Sequence, residues 1–246
     1  MERVVIFGAT SAIAAEVAAL YAGREAHLHL VARNSGKLDA LAQRCHPAKV
    51  TTQQADFADL NSNEAVVRRA IERLSGVDVA LIAHGDLGDQ RETELSFQAA
   101  ELTLRTNFLS VVSLLIPLAN HLETQRSGRI AVITSVAGER GRPRNYTYGA
   151  AKGALNIYLQ GLRSRLYSSG VGVTTLKLGP VDTPMTRDHT KHALFAKPSD
   201  VAKSIVAALD GGVAEAYVPS FWAAIMPAVR ATPEVLFQRL PFLSGR

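Results

Sequence analysis

The chain alternates between short apolar runs and longer stretches in which apolar residues recur at helical spacing. The short runs are typical of strands buried on both faces of a parallel sheet. The stretches between them indicate amphipathic helices. Seven strands are predicted, over 3–7, 26–31, 49–54, 77–83, 129–135, 171–178 and 215–218.

The predicted helices lie between these strands. They cover 11–22, 35–44, 61–74, 94–125, 146–169 and 199–209, and a polar stretch runs over 183–197. We expect a bend at Pro117, inside the longest of them. The alternation predicts an α/β fold with one domain over 1–246, in which helices cover both faces of a doubly wound (Rossmann) parallel sheet of about seven strands. Residues 219–246 form an apolar, helix-prone tail.

Composition narrows the range of partners. A formal net charge of +5 suits an anionic ligand or an acidic membrane surface, and arginines on solvated helix faces explain it equally well. No basic run interleaves with aromatic residues, so we expect no nucleic acid partner, and we expect no metal site. The single Cys45 excludes an internal disulfide and favours a cytoplasmic location. No run reaches the roughly 18 apolar residues of a membrane span.

The most informative chemistry lies in Tyr148 and Lys152, which are four residues apart on a predicted helix. This spacing places an ammonium beside a phenol, and a nearby positive charge lowers a phenol's pKa. Such a pair suits proton exchange with an alcohol or ketone. Ser135, at a predicted strand end, is placed to hold the same oxygen. Tyr146 has an alanine four residues on and is the poorer candidate.

A nucleotide site is predicted between the first strand and the first helix, over Gly8-Ala-Thr-Ser-Ala-Ile-Ala14. A helix N-terminus there suits a pyrophosphate, although a tight strand-to-helix turn explains the same residues. Arg33 ends the second strand, where an arginine suits a ribose 2′-phosphate and therefore NADP(H). A plain surface arginine is the alternative. Asp56 and Phe57 follow the third strand near the expected adenine, and Asp56 is equally suited to capping.

Together these residues resemble the short-chain dehydrogenase/reductase family over nearly the whole chain. The most specific match is Ser135, Tyr148 and Lys152, with Asn107 upstream in Arg-Thr-Asn-Phe. The resemblance implies that Tyr148 is the general acid/base and that Lys152 lowers its pKa and holds the nicotinamide ribose. It also implies that Ser135 orients the substrate carbonyl and that Asn107 anchors a water of a proton relay.

The family resemblance also implies a dinucleotide site along the strand ends. Its predicted cofactor-binding residues are Gly8, Thr10, Ser11, Ala12, Ile13, Arg33, Asn34, Asp56, Phe57, Ala83, His84, Gly85, Tyr148, Lys152, Gly179, Val181 and Thr183.

Two departures from the family pattern bear on that site. Ala12 and Ala14 stand where glycines are usual, which puts cofactor affinity in doubt if the backbone there needs a positive φ. Ile82-Ala83-His84-Gly85 replaces the usual Asn-Asn-Ala-Gly. His84 is either a residue lining the cofactor cleft or a catalytic histidine.

A narrower resemblance concerns the substrate. Residues 138–149, 217–222 and 236–242 resemble stretches of the decaprenylphosphoryl-2-keto-ribose reductases. This implies a lipid-linked sugar ketone as substrate and a partner oxidase that supplies it. Arg140, Arg142 and Arg144 are placed to pair with a phosphodiester, or form a solvated basic loop. The tail is suited to a peripheral membrane contact, to closing the pocket or to an oligomer interface, and the family implies a homodimer or homotetramer.

The predicted function is NADPH-dependent reduction of a ketone to a secondary alcohol, with Tyr148 as general acid. One alternative is a reductase of soluble acyl, steroid or other small ketones. An alternative of a different class is a non-catalytic dinucleotide sensor or scaffold, which the alanines of the glycine turn motivate.

Overall fold

A computed structural model describes residues 1–187 and 194–240. Its centre is a parallel sheet in the order β3-β2-β1-β4-β5-β6-β7. The strands are β1 (Arg3–Phe7), β2 (His27–Ala32), β3 (Val50–Gln54), β4 (Val79–Ile82), β5 (Arg129–Ser135), β6 (Gly172–Leu178) and β7 (Glu215–Val218). All seven predicted strands are present, and the predicted doubly wound fold is confirmed. The order reverses between β1 and β4, which opens a crevice at the carboxyl ends of these strands.

Ten α-helices are described in these two ranges. They are α1 (Ala12–Ala22), α2 (Ser35–Arg44), α3 (Asn63–Leu74), α4 (Gln90–Leu95), α5 (Phe97–Leu104), α6 (Ser110–Gln125), α7 (Tyr146–Leu166), α8 (Pro198–Asp210), α9 (Trp222–Ala231) and α10 (Glu234–Arg239).

Alternate side chains of the sheet enter two hydrophobic cores. Val4 and Ile6 pack with α1, α2 and α8 on one face, whereas Val5 and Phe7 pack with α3, α6 and α7 on the other. This alternation follows from the two-residue period of a strand. With both faces covered, the central strands β1 and β4 are almost entirely apolar, which is why the sequence shows apolar runs there rather than alternation.

The prediction of one long helix over 94–125 is wrong in its boundaries. Ser96 ends α4 and caps α5, its side chain accepting the N–H of Ala99 at 3.3 Å. A π-helical turn, Arg105–Leu109, then connects α5 to α6. Pro117 lies inside α6, and the bend expected there stays a prediction, whereas the π turn that carries Asn107 was not predicted.

By length and composition alone, the helical segment Phe97–Gln125 passes the test for a membrane span, with a mean hydropathy of 1.5. Its buried residues, among them Leu114 and Leu118, belong to the core beside α3 and α7. A core helix passes the same test, so the segment gives little support to a membrane span.

Candidate active site

Three polar side chains meet where β5 ends and α7 begins. The Ser135 hydroxyl accepts the N–H of Ala137 at 3.1 Å and donates to the carbonyl of Leu178 at 3.3 Å. Lys152 is 2% exposed, and its Nζ donates to the carbonyl of Ile133 at 3.1 Å. That Nζ lies 5.8 Å from the centre of the Tyr148 ring. The structure therefore brings Ser135, Tyr148 and Lys152 together as predicted.

Two glycines allow α7 to approach the turn that follows β5. A Cβ on Gly149 would lie 2.8 Å from the carbonyl oxygen of Ala137, and one on Gly153 would lie 2.8 Å from that of Gly138. Larger residues would push the helix away, because real Cβ atoms essentially never come this close. The small residues beside Tyr148 and Lys152 thus set the distance between the helix and Ser135.

The pKa of Tyr148 differs from the expectation. Removal from water raises it to about 12, and only the Ser135 hydroxyl acts to lower it. Burial also lowers the pKa of Lys152 to about 8. The expected lowering of the phenol's pKa by Lys152 is not seen: removal from water disfavours the phenolate, and Lys152 is not among the groups that shift the pKa of Tyr148. Tyr148 is therefore a neutral phenol at neutral pH.

Asn107 is fully buried in the π turn. Its Nδ2 donates to the carbonyls of Asp86 at 2.7 Å and Thr103 at 2.9 Å, and its Oδ1 accepts the N–H of Asp86 at 3.1 Å. A Cβ on Gly85 would lie 2.9 Å from Oδ1 and 3.4 Å from the Nζ of Lys152. The Asn107 side chain thus holds the loop after β4 against Lys152. Its role in a water relay stays a prediction.

His84 lines the cleft at the end of β4. Ser110 donates its hydroxyl hydrogen to Thr106, so the Ser110 oxygen accepts from Nε2 of His84 at 2.7 Å. The His84 ring lies 4.6 Å from that of Phe57. Burial, assisted by the charges of Lys152 and Arg33, lowers the pKa of His84 to about 3. A histidine held neutral by this arrangement is a wall residue, which favours the non-catalytic interpretation.

The predicted glycine turn forms the next part of the cleft. Gly8 has a φ of +83°, and a Cβ there would lie 2.6 Å from the backbone nitrogen of His84. Ser11 caps α1 by accepting the N–H of Ala14 at 3.2 Å. Ala12 and Ala14 lie in helical α1, and neither is among the residues with a positive φ. The doubt about these two alanines therefore does not apply.

The cleft has a volume of about 1550 Å³. Most of the predicted site residues line it, namely Thr10, Ser11, Ala12, Ile13, Ala83, His84, Gly85, Ser135, Tyr148, Lys152, Gly179, Val181 and Thr183.

Besides Gly8 and Asn107, four further predicted residues lie outside the lining of the cleft. The Asn34 side chain caps α2 by accepting the N–H of Lys37, and that of Asp56 accepts the N–H of Ala58. Phe57 packs behind His84, and Arg33 is exposed at the end of β2. Lys37 does line the cleft, and sequence reasoning missed it. Its position in the first turn of α2, beside Arg33, was the available signal.

The C-terminal tail closes the other end of the cleft. Trp222, Ile225 and Val229 of α9 line it, which confirms the pocket-closing alternative for this part of the tail. Arg140 anchors the tail through an ion pair with Glu234 at 2.6 Å and a contact 4.4 Å above the Phe237 ring. Residues 241–246, the end of the predicted tail, and 188–193, within the predicted polar stretch, lie outside the described residues.

The packing of Trp222 against Gly179 predicts a stability effect. A Cβ on Gly179 would lie 2.0 Å from Nε1 of Trp222, so Gly179→Ala should lower the free energy of unfolding by about 1–3 kcal/mol. Gly161→Ala is the control, because its Cβ meets nothing within 4 Å on a helix, and it should stabilise by about 0.5–1 kcal/mol. Urea unfolding measures both. Equal stability of Gly179→Ala and the parent would contradict this packing.

Comparison with known proteins identifies the fold's relatives. The family model for short chain dehydrogenases matches residues 2–194. The chain belongs to the short-chain dehydrogenase/reductase family. A Mycobacterium tuberculosis protein named only as an uncharacterized oxidoreductase is 34% identical over 241 residues, covering 97% of this chain and 96% of the relative. An uncharacterized oxidoreductase of Streptomyces coelicolor is 33% identical over 238 residues, covering 96% and 94%.

Solved structures show the same fold. Levodione reductase superposes with a TM-score of 0.79 at 23% identity, covering 88% of this chain and 94% of that one. An actinorhodin polyketide ketoreductase solved with NADPH gives a TM-score of 0.78 at 23% identity, covering 88% and 95%. The chain is thus an oxidoreductase of a family that binds a nicotinamide dinucleotide.

The residues present fit such a cofactor. A Cβ on Gly8 would clash with the backbone of His84 and one on Gly179 with Trp222, so both glycines let residues of the cleft wall pack closely, and the N-terminus of α1 lines the cleft. The first N–H groups of a helix lack partners within it and suit a phosphate. The volume also exceeds the roughly 300–1,000 Å³ of a pocket for one small ligand. The cleft is therefore large enough for a dinucleotide together with a substrate.

Proposed function

We propose that the protein is an NADPH-dependent reductase that converts a ketone to a secondary alcohol, with Tyr148 as general acid. The observation that carries this proposal is the meeting of Tyr148, Ser135 and Lys152 on the wall of a cleft large enough for a dinucleotide and a substrate. A protonated acid is the form that reduction needs, since the product alcohol must receive a proton. The presence of Ser135, Tyr148 and Lys152 together disfavours the alternative of a non-catalytic sensor or scaffold.

Ser135, Tyr148 and Lys152 each have a separate role in the proposed reaction. The reduced nicotinamide, when bound, supplies a hydride to the carbonyl carbon. Ser135 and Tyr148 donate hydrogen bonds to the carbonyl oxygen, which stabilises the negative charge that develops there. The Tyr148 hydroxyl then passes its proton to that oxygen. Lys152, charged below its pKa of about 8, stabilises the phenolate that remains.

The preference for NADP(H) is part of the proposal. Arg33 is exposed at the end of β2, and Lys37 lines the cleft one helical turn further on. Two cations at this end suit the 2′-phosphate, and an acidic residue there would have suited a ribose hydroxyl. Arg33 and Lys37 would hold the phosphate, and the N-terminal turn of α1 would hold the pyrophosphate.

Replacing Arg33 with alanine tests this preference. Because a hydrogen bond to a charged group is lost, the KM for NADPH should rise roughly 10–100-fold while that for NADH stays the same. Arg68→Ala, which removes an equal charge from the exposed face of α3, should change neither value. An equal rise in KM for NADPH and NADH would remove the argument for NADP(H).

As substrate we propose the 2-keto group of a polyprenylphosphoryl pentofuranose. The resemblance of residues 138–149 and 217–222 to reductases of such compounds supports it, as do the apolar side chains of Trp222, Ile225 and Val229 that the tail contributes to the cleft. The test is NADPH oxidation with that compound beside a panel of soluble ketones. Turnover of soluble ketones alone would keep the reductase and discard this substrate. The partner oxidase stays a prediction.

We also propose a homo-oligomer. Apolar side chains on α5, α6 and α7 face solvent, with Phe97 80%, Leu102 59%, Ile116 49% and Ile157 71% exposed. Such a concentration of exposed apolar residues is typical of an interface. Peripheral membrane contact through the tail stays a prediction. Sedimentation of the purified chain would measure the oligomeric state.

A further inference from the structure

The loop between Ser135 and Tyr148 carries three arginines in different surroundings. The Arg140 guanidinium is 2.6 Å from a Glu234 oxygen, and its Nη1 also donates to the carbonyl of Arg230 at 3.3 Å. This arginine therefore fastens the tail to the loop. Its charge is neutralised, so it does not contribute to an anion site.

Arg142 differs from Arg140 in having no partner. Its side chain lines the cleft and makes no hydrogen bond or ion pair with any part of the chain that the structure describes, and its Nε is buried without an acceptor. A buried donor without a partner costs free energy. The Nε–H of Arg142 therefore lacks an acceptor, and an acceptor from a ligand can reach this side chain from the cleft.

Arg144 lines the same part of the cleft. Burial lowers the pKa of Arg142, and the positive charge of Arg144 lowers it further, so the two cations repel one another. An anion between them would remove both penalties, and a guanidinium binds carboxylate and phosphate oxygens bidentately.

A backbone turn carries these two arginines. The N–H of Asn145 donates to the carbonyl of Arg142 at 3.1 Å, which closes a turn with Pro143 at its second position. Proline fixes φ there and favours such turns. Arg142 and Arg144 are therefore presented by a defined turn at the start of α7, next to Tyr148.

The acidic residues near this region are few, and they have other contacts. Glu139 binds Lys177 at 2.7 Å, and Glu234 binds Arg140. Asp89 and Glu94 line the cleft opposite the loop. Asp89 caps α4 by accepting the N–H of Arg91 at 2.7 Å, and Glu94 accepts from Gln90 at 3.4 Å. Arg91 also lines the cleft, so with Arg142 and Arg144 this region has three cations against the two carboxylates of Asp89 and Glu94.

We propose that Arg142 and Arg144 form an anion subsite, so that the ketone this enzyme reduces carries a phosphate or carboxylate group held by these two arginines. The inference rests on the proposed ketone reduction and names the substrate class and its specificity-determining residues. A phosphate and a carboxylate offer the same oxygen acceptors, and the measurement below distinguishes them.

Equilibrium binding tests the subsite without any need for turnover. Trp222 is the single tryptophan of the chain and lines the cleft, so its fluorescence reports binding. The full chain with NADP⁺, which has no hydride to transfer, is titrated with two matched pairs: ribulose 5-phosphate against ribulose, and levulinate against methyl levulinate. Three forms are compared: the parent, Arg142→Gln and, as control, Arg68→Gln.

The expected result is that the parent binds one anionic member at least about tenfold more tightly than its neutral partner. Arg142→Gln should remove that difference, and Arg68→Gln should keep it. The pair that shows the difference identifies phosphate or carboxylate.

Equal affinity of the parent for both members of each pair, including undetectable binding of all four, would overturn the subsite. So would an Arg142→Gln protein that keeps the preference. Failure of the reductase proposal is distinguishable, since loss of turnover with the anion preference intact leaves the subsite standing.

Discussion

Replacing Tyr148 with phenylalanine should lower kcat for ketone reduction by about 10²–10⁴-fold. The substitution removes only the phenol oxygen, which is the proton donor of the proposed reaction and a hydrogen-bond donor to the developing alkoxide. The ring keeps its volume against α7 and the end of β5, so the fold should be retained. Steady-state turnover with NADPH, together with a dinucleotide titration followed by Trp222 fluorescence, measures both consequences.

Tyr146 provides the matched control for this substitution. It lies two residues earlier on α7 and is 45% exposed, so Tyr146→Phe removes the same hydroxyl from the same helix but outside the cleft. Its turnover should equal that of the parent. A Tyr148→Phe protein with normal turnover would refute the role of Tyr148, and loss of NADPH binding in that variant would show a structural effect instead.

Replacing Lys152 with methionine should lower activity strongly while raising stability. Lys152 is 2% exposed, and burial lowers its pKa to about 8. Keeping this buried side chain charged at neutral pH therefore lowers the free energy of unfolding. Methionine fills a similar volume without that charge, although the carbonyl of Ile133 loses its donor. We expect a Tm rise of at least about 2 °C at pH 7. Turnover should fall, because the phenolate formed at Tyr148 loses its nearby cation.

The pH dependence of stability gives a second measure of the same residue. The folded pKa of Lys152, about 8, lies below its ordinary 10.5, so the unfolded chain binds more protons between these values. The free energy of unfolding should therefore rise with pH across that window because of Lys152. The gain in Lys152→Met should shrink over the same range. A variant that is less stable than the parent at every pH would mean that Lys152 contributes chiefly to structure.

The strands and the cluster of Ser135, Tyr148 and Lys152 could be predicted from the sequence because both depend on local patterns. An apolar run bounded by a glycine indicates a buried strand wherever its neighbours lie. The four-residue spacing of Tyr148 and Lys152 fixes their relative position once a helix forms. Ser135 could be placed because it ends a strand, and the carboxyl ends of parallel strands meet at one edge of a sheet.

The features that were missed depend on long-range packing. The break at Ser96 and the π turn at Asn107 have no strong signal, because the residues around them suit a continuous helix. Lys37 enters the cleft from α2, far along the chain from α7. The raised pKa of Tyr148 follows from burial, which the spacing to Lys152 does not reveal. The different surroundings of Arg140 and Arg142 arise from the position of the tail.

The most direct test of the central claim uses NADPH that carries deuterium at the nicotinamide carbon that gives up the hydride. The purified protein is incubated with this labelled NADPH and, in separate reactions, with the lipid-linked 2-keto sugar and with soluble ketones. Mass spectrometry then measures the deuterium content of the products. We predict an alcohol that bears deuterium at the former carbonyl carbon, formed by the parent and by Tyr146→Phe but barely by Tyr148→Phe. NADPH that binds but transfers no deuterium to any of these ketones would contradict the assignment as a ketone reductase.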